Sequence, residues 1–201
     1  MKLIDISRKF FSADVYPGDP KPEAEQISVI GEGAECNLSV VHACAHTATH
    51  VDAPLHFVQD GKTIDELPLE PFIGECAVIE VPQGVITGDY VDRYFPKKCQ
   101  RLLIKSEGKA FFMDSSAQEL ADRGLLLIGT DSLSVGSKGN QVAPHKAFLL
   151  NGVAIVEGLD LSAVKPGNYF LFAPPVRYDG IEGAPARAVL IEDYIFWSKR
   201  S

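Results

Sequence analysis

Two continuous apolar runs constrain the fold of this chain more than any other feature of the sequence. Residues 125–128 read Leu-Leu-Leu-Ile and residues 153–156 read Val-Ala-Ile-Val. Neither run alternates with polar residues, so each is expected to form a strand covered on both faces, as in parallel sheets flanked by helices. Short β-rich runs recur along the chain and predict strands at residues 3–6, 26–30, 38–41, 77–81, 102–105, 125–129, 153–156, 169–172 and 188–191.

Helices are predicted at three places between these strands. Residues 116–119 (Ser-Ala-Gln-Glu) have the spacing of a capping box that opens a helix, and Gly124 is expected just past the end of that helix. Thr87 is expected to cap a second helix over residues 89–95. A third helix is predicted over residues 144–150. The strand–helix–strand order around the first of these helices indicates at least one crossover unit.

Length and composition favour one folded domain. The chain has 201 residues, of which 46% are hydrophobic and 23% are charged, as in ordinary globular proteins. It contains no internal repeat, no low-complexity tract and no linker-like change of composition. We therefore predict an α/β fold, a single domain over residues 1–201 with a mixed, β-rich sheet and short flanking helices.

Charge and patterning argue against several classes of function. The net charge of −8 and the isoelectric point near 5.1 argue against binding to nucleic acids or anionic membranes. No apolar run approaches the ~18 residues of a membrane span, and the first residues lack the apolar region of a signal peptide. No dinucleotide-binding motif follows a strand, so no nucleotide cofactor is expected. The cysteines form no CxxC pair and are interpreted as reduced thiols of a cytoplasmic protein: Cys36, Cys44, Cys76 and Cys99.

The histidines are concentrated in one short window. Four of the five lie between residues 42 and 56: His42, His46, His50 and His56. Asp52 lies among them, so that His46, His50 and Asp52 follow the pattern His-x3-His-x-Asp. Imidazole and carboxylate are the usual ligands of a zinc-like divalent ion, and three protein ligands leave coordination positions open for water. The window therefore predicts a metal site on these three residues, with His42 in a structural role.

The same spacing predicts the local backbone. A strand rises about 3.3 Å per residue, which would place the Cα atoms of His46 and His50 roughly 13 Å apart, too far for one ion. We therefore expect a turn or partial helical loop through residues 47–49 and an extended segment over residues 50–52. Pro54 favours this ending, because it biases the preceding residue away from helix. The alternative is a plain helix or strand whose histidines are solvated or hydrogen-bonded.

The window resembles the signature of a known family. Residues 46–57 (His-Thr-Ala-Thr-His-Val-Asp-Ala-Pro-Leu-His-Phe) are similar to the HxGTHxDxPxH motif of the cyclase-like metal hydrolases, which include bacterial kynurenine formamidase and isatin hydrolase. Further elements resemble the same family in the same order, at residues 16–20 (Tyr-Pro-Gly-Asp-Pro), 130–135, 173–175 and 183–190. The resemblance covers essentially the whole chain and implies a swivelling β/β/α fold and a homodimer.

The resemblance implies two divalent metal ions, with zinc favoured and manganese as the alternative. The positions that hold the family's first ion match His46, His50 and Asp52. In the two-metal formamidases the aspartate bridges to a second ion, which is completed by positions that match His145 and Glu157. The resemblance thus gives a role to the one histidine outside the window and to a carboxylate that ends an apolar run.

Two positions depart from the family pattern. The glycine within the family's signature is Ala48 here, which we interpret as a need for a small side chain rather than for positive φ. The tryptophan of the family's N-terminal element is Tyr16, which would stack against an aromatic substrate with less ring area and an added hydroxyl. The second departure bears on the substrate more than on the chemistry.

The resemblance also implies an amide-hydrolysing activity. His56, the last histidine of the signature, would deliver a proton to the departing amine. The expected reaction is hydrolysis of a small aryl amide, with N-formyl-kynurenine giving kynurenine and formate. One alternative is a hydrolase of another cyclic or aryl amide, as in the isatin enzymes, and another is a metal-binding module without catalysis. A histidine that is not a ligand but lies beside the metal argues against the second alternative.

Overall fold

A nine-stranded mixed sheet organises the computed structural model, which describes residues 1–194. The strands in chain order are β1 (Lys2–Asp5), β2 (Glu23–Ser28), β3 (Leu38–His42), β4 (His50–Asp52), β5 (Ile73–Glu80), β6 (Gly84–Ile86), β7 (Arg101–Lys105), β8 (Ala110–Phe112), β9 (Leu127–Thr130), β10 (Ala154–Glu157), β11 (Gly167–Phe172), β12 (Gly183–Pro185) and β13 (Val189–Glu192). The helices are α1 (Gly88–Tyr94), α2 (Asp114–Asp122) and α3 (Val142–Leu150). The order of strands in the main sheet is β1-β13-β11-β5-β7-β9-β10-β4-β12, and β2-β3 and β6-β8 form separate two-stranded sheets.

The topology confirms the predicted fold class. The central strands β5, β7, β9 and β10 run parallel, whereas the strands on both sides of them pair antiparallel. The chain passes through α2 between the parallel strands β7 and β9, and through α3 between the parallel strands β9 and β10, as crossover connections require. Each predicted strand region overlaps an observed strand. The sequence did not predict β6, β8 and β12, which are three residues long and too short for a periodic pattern.

The two continuous apolar runs contribute side chains to two hydrophobic cores, one on each face of the sheet. Ile128 and Ile155 point to the helical side and belong to the same buried cluster as Phe148 of α3. Leu127 and Val156 point to the opposite side and belong to the second cluster. Each fully buried side chain of this size contributes roughly 1.5–3 kcal/mol. Because both faces are covered, neither strand needs the alternation of polar residues that a half-exposed strand shows.

The helix ends agree with the sequence in part. Thr87 caps α1, since its hydroxyl accepts a hydrogen bond from the Tyr90 amide at 3.2 Å. Gly124 follows α2 with φ of 79°, as predicted for a residue just past a helix. The prediction that Ser116 opens α2 is wrong, because the helix already starts at Asp114 and the Ser116 hydroxyl donates to the Met113 carbonyl at 2.8 Å. Among residues 1–194 no helix combines the length and the hydrophobicity that crossing a membrane requires.

The two ends of the described chain meet in the sheet. Strand β1 pairs with β13 over four residues, and the Arg187 guanidinium donates to both carboxylate oxygens of Asp5 at 3.0 Å from Nε. One sheet therefore joins the first and last described strands. The single-domain prediction extends to residue 201, and residues 195–201 lie outside the part of the chain that the structure describes.

Candidate metal centre

The histidine window has the backbone that its spacing predicts. A turn occupies residues 45–49, and β4 then extends over His50–Asp52 between β10 and β12. Ala53 is extended, with φ of −91° and ψ of 159°, and Pro54 begins a short 3-10 helix that ends at His56. The turn brings His46 back over the strand that carries His50, so the two imidazole rings lie edge to face with centroids 5.0 Å apart.

Ala48 shows that one interpretation of the sequence is wrong. Its φ is 58°, so the position does require the left-handed region that the family's glycine adopts without strain. The turn closes against Gly158, where the Cβ atom of any larger residue would lie 2.2 Å from the Ala48 carbonyl oxygen. Thr49 reinforces this contact, because its hydroxyl donates to the Gly158 carbonyl at 2.6 Å. The main chain of the turn is thereby fixed to the end of β10.

Two groups of donor atoms converge on Asp52, which is fully buried. Its Oδ1 atom lies 2.9 Å from His46 Nδ1 and 3.4 Å from His50 Nε2. Its Oδ2 atom lies 3.5 Å from His145 Nε2, which in turn is 3.1 Å from Glu157 Oε1. In each group the potential ligand atoms all lie within 4.8 Å of one another. The structure thus brings together all five residues that the sequence predicts as ligands, with Asp52 common to both groups.

A divalent cation fits this arrangement. Donor atoms bound tetrahedrally at about 2.0–2.1 Å are roughly 3.3 Å apart, which is close to the 2.9–3.5 Å separations around Asp52. Asp52 Oδ2 is buried and has no hydrogen-bond partner, and a buried carboxylate oxygen without a partner is costly unless a cation or donor compensates it. Imidazole and carboxylate donors suit divalent metals. A divalent metal ion therefore satisfies both the geometry and the buried charge.

The electrostatics of the cluster favour protonated imidazoles beside ionised carboxylates when no metal is bound. Burial opposes the protonation of His50, but Asp52 and Glu157 outweigh it and raise the pKa of His50 to about 10. The same balance raises the pKa of His145 to about 10. Burial would raise the pKa of Asp52, yet the neighbouring imidazoles hold it well below its ordinary value of 3.8. A metal ion that binds here takes the place of these protons and releases them.

Backbone carbonyls orient two of the imidazoles. His50 Nδ1 donates to the Ala48 carbonyl at 3.0 Å, and His145 Nδ1 donates to the Gln141 carbonyl at 2.6 Å. Each ring therefore donates from Nδ1 and directs Nε2 toward Asp52, so Nε2 is the nitrogen available to a metal ion. Such partners fix the tautomer and the orientation of a metal-binding histidine. Glu157 is fixed in the same way, since its Oε1 accepts from the Val135 amide at 2.7 Å.

His56 lies beside the two groups of donor atoms without belonging to either. Its ring stacks on that of His46 with centroids 4.0 Å apart. Phe57 stacks in turn on His145 at 4.2 Å, so these aromatic rings form one wall of the site. Burial lowers the pKa of His56 below its ordinary value of 6.5. His56 is therefore neutral at neutral pH and free to accept or pass on a proton.

A cavity of about 300 Å³ opens onto the cluster. Tyr16 lies in its wall, and the Tyr16 hydroxyl contacts the side-chain amide of Gln141, the residue whose carbonyl orients His145. Cys44 also lies in this wall, but it is in neither group of converging donor atoms. The cavity places Tyr16 where a substrate that reaches the cluster would pass.

Some residues of the quoted motifs lie elsewhere or have structural partners. His42 is exposed on the β2-β3 sheet, 3.8 Å from Glu25. Asp131 is buried and accepts hydrogen bonds from the Ser106 amide and hydroxyl at 2.9 and 2.8 Å. Glu182 is not predicted by the sequence, although its Oε1 lies 3.3 Å from His46 Nε2. The only signal for it is its position directly before the motif that begins at Gly183.

Solved structures share this fold over nearly the whole chain. A structure described as a predicted metal-dependent hydrolase from Bacillus stearothermophilus has a TM-score of 0.81 and 28% sequence identity, and the match covers 94% of this chain and 97% of that one. Isatin hydrolase A from Labrenzia aggregata has a TM-score of 0.79 over 94% of this chain and 93% of its own, and at 18% identity it shows the fold alone. Together, the fold and the site define a metal-dependent hydrolase.

Sequence comparisons then identify the family. The family model described as "Putative cyclase" matches residues 4–137. The kynurenine formamidase of Salinibacter ruber is 34% identical, over 94% of this chain and 97% of its own length. That of Sphingopyxis alaskensis is also 34% identical, over 95% and 98% respectively. The chain belongs to the cyclase family of metal-dependent hydrolases.

Proposed function

We propose that this enzyme hydrolyses a small aryl amide, with N-formyl-kynurenine as the substrate and kynurenine and formate as the products. The observation that carries the proposal is the convergence of two donor groups on the buried Asp52, because the other four members of these groups line a cavity whose wall contains Tyr16. The curated relatives that match over nearly the whole chain are kynurenine formamidases, which supports a formamide in particular.

We infer that the site binds two divalent ions, zinc in the first place and manganese as the alternative. His46, His50 and Asp52 would hold one ion, and Asp52, His145 and Glu157 would hold the other. The support is geometric, because the two carboxylate oxygens of Asp52 face different imidazoles, His46 from Oδ1 and His145 from Oδ2. All five residues offer nitrogen or carboxylate oxygen, which both metals accept.

Metal ions bound here would lower the pKa of water toward neutrality and polarise the carbonyl of the substrate. The residues of the chain supply the remaining requirements of hydrolysis. A C–O bond forms as the C–N bond breaks, so one proton of the water has to reach the departing nitrogen. His56 is placed to move that proton, since it is neutral at neutral pH and lies against the ring of His46.

The cavity wall supports an aromatic substrate. Tyr16 and Phe57 both line the cavity, and each offers a ring face or edge against which an aryl group can pack. Asp19 follows Tyr16 in the same wall, and its amide donates to the Tyr16 carbonyl at 3.0 Å, which closes the turn that carries both residues. We infer that Tyr16 orients the aryl ring while the amide reaches the donor groups below it.

The proposed reaction is tested by offering two substrates to the same preparation. We expect the zinc- or manganese-loaded protein to release kynurenine from N-formyl-kynurenine, measured by the colour of kynurenine, and to lose this activity when a chelator removes the metal. Isatin provides the comparison, because its cyclic amide requires a different fit to the cavity. Turnover of isatin but not of N-formyl-kynurenine would identify the enzyme as an isatin-type hydrolase. Turnover of neither substrate would contradict the proposal.

We further infer that the enzyme acts in the cytoplasm as a homodimer. The cysteines of residues 1–194 are all free thiols, which fits a reducing compartment. The β2-β3 sheet exposes Ile27, Leu38 and Val41, each more than half accessible. An isolated two-stranded sheet is marginally stable, and a second copy of the chain would cover these side chains. Light scattering after size exclusion is expected to give twice the 21.8 kDa mass of the chain, whereas a single-chain mass would contradict the dimer.

A further inference from the structure

Glu182 lies next to the metal centre, although it is not one of the residues whose donor atoms converge. Its Oε1 atom is 3.3 Å from Nε2 of His46. The Glu182 side chain is 38% exposed, so it can rotate, whereas that of His46 is largely buried. The groups of residues that could hold an ion do not include Glu182. Its carboxylate therefore contacts His46 at Nε2, and not at the Nδ1 atom that faces Asp52.

The orientation of the His46 ring determines which nitrogen faces the ion. His46 Nδ1 lies 2.9 Å from Asp52 Oδ1, and His50 Nε2 lies 3.4 Å from the same oxygen. These three atoms are the ones that converge. The other nitrogen of His46 points toward Glu182. His46 would therefore bind an ion through Nδ1, whereas His50 and His145 would bind through Nε2.

A histidine that binds through Nδ1 carries its proton on Nε2, and this proton needs an acceptor. His50 and His145 each donate from the ring nitrogen that does not face Asp52 to a backbone carbonyl. His46 has no such carbonyl, since its buried Nε2 has no hydrogen-bond partner. The contact with Glu182 is within 3.3 Å but is not aligned as a hydrogen bond. A small rotation of the half-exposed Glu182 side chain would align it.

We propose that Glu182 is a positioning residue that accepts a hydrogen bond from His46 Nε2 and so fixes the ring and its tautomer for metal binding through Nδ1. The inference rests on the proposed metal-binding function. Carboxylate partners of this kind raise the basicity of a metal-binding imidazole as well as orienting it. Glu182 would thus orient the ring of His46, as the carbonyls of Ala48 and Gln141 orient the rings of the other two histidines.

The backbone around Glu182 is built for this contact. The Glu182 carbonyl accepts from the Ala53 amide at 2.8 Å, and the following strand β12 pairs with β4 so that Gly183 lies opposite Asp52. A Cβ atom on Gly183 would lie 2.8 Å from Cε1 of His46. Only glycine at this position lets the ring lie against the strand, which places Nε2 beside the Glu182 side chain.

The test is the zinc affinity of the protein, measured by competition with a chromophoric chelator. We expect Glu182→Ala to bind zinc about 10- to 100-fold more weakly in one binding step. Glu182→Gln is expected to stay within a few-fold of the original protein, because its amide oxygen still accepts a hydrogen bond. Asp179→Asn, which removes an exposed carboxylate from the same loop, serves as the matched control and is expected to leave the affinity unchanged.

The outcomes separate this inference from the function on which it rests. Unchanged zinc affinity in Glu182→Ala would overturn the positioning role while leaving the metal centre in place. An equal loss in Glu182→Gln and Glu182→Ala would assign the effect to charge alone and would also overturn it. Absence of zinc binding by the unmodified protein would overturn the metal centre itself. Imidazole nitrogen NMR of the zinc-loaded protein is expected to show His46 protonated at Nε2, and metal at Nε2 would contradict the inference.

Discussion

Asp52→Ala is expected to lose both metal ions and with them all measurable amide hydrolysis. Asp52 is the only residue common to both groups of donor atoms among residues 1–194. Its Oδ1 lies 2.9 Å from His46 and its Oδ2 lies 3.5 Å from His145. Removal of this carboxylate takes one ligand from each group and leaves Glu157 as the one acidic member of the two groups, so two cations would repel each other with little negative charge between them. Metal per chain, measured by elemental analysis after gel filtration, reports the loss directly.

Two further variants separate loss of metal from loss of fold. Asp52→Asn keeps the shape of the side chain and removes only the charge and one acceptor, so it is expected to fold and still to lose metal. Asp131→Asn is the matched control, because Asp131 is also buried but accepts hydrogen bonds from Ser106 and belongs to neither donor group. We expect Asp131→Asn to bind metal normally, with any loss confined to thermal stability. Two ions retained by Asp52→Ala would contradict the bridging role.

His56→Ala is expected to slow turnover by about 10²-fold or more while the metal content stays unchanged. The imidazole lies against His46 without sharing its donor group, so its removal takes away a proton-transfer group and leaves every candidate ligand in place. Single-substrate kinetics and elemental analysis on the same preparation measure both quantities. The loss is expected in kcat rather than in KM, because a proton moves only as the C–N bond breaks.

The control variant for His56→Ala has to keep an aromatic ring stacked on that of His46. His56→Phe keeps a ring against His46 but cannot carry a proton, so we expect it to match the alanine variant in turnover and to exceed it in stability. His42→Ala removes an exposed histidine on the β2-β3 sheet and is expected to change neither quantity. Loss of an ion in His56→Phe would make His56 a ligand, and unchanged turnover would place proton transfer on another group.

Most of the fold and all of the candidate ligands could be predicted from the sequence. Continuous apolar runs such as residues 125–128 predict buried strands. A turn between His46 and His50 is predicted because an extended chain would place their Cα atoms too far apart to share one ion. His145 and Glu157 are distant in sequence and become candidates only through the family resemblance. Their proximity to Asp52 follows from the topology, since α3 carries His145 and β10, which ends at Glu157, pairs with the strand β4 that carries Asp52.

The predictions that were wrong concern backbone conformation, which residue types alone do not determine. Ser116 is a residue type that caps helices, but the cap position is Met113, three residues earlier, so the Ser116 hydroxyl donates backward to the Met113 carbonyl. The small size of Ala48 does not explain its position, because its φ of 58° lies in the left-handed region that favours glycine. Glu182 belongs to no sequence motif, because a carboxylate that accepts a hydrogen bond from a ligand needs no fixed spacing from that ligand in the sequence.

The closure of the turn on Gly158 makes the separation of the two donor groups a property of the main chain. The turn carries His46 and leads directly into His50, and Gly158 directly follows Glu157, so the contact between the Ala48 carbonyl and Gly158 ties the main chains of the two halves of the centre together. The close approach is between main-chain atoms, and the Thr49 hydroxyl adds a hydrogen bond to the Gly158 carbonyl beside it. Divergence toward new substrates is therefore expected at wall residues that are neither ligands nor partners of a ligand, such as Leu133.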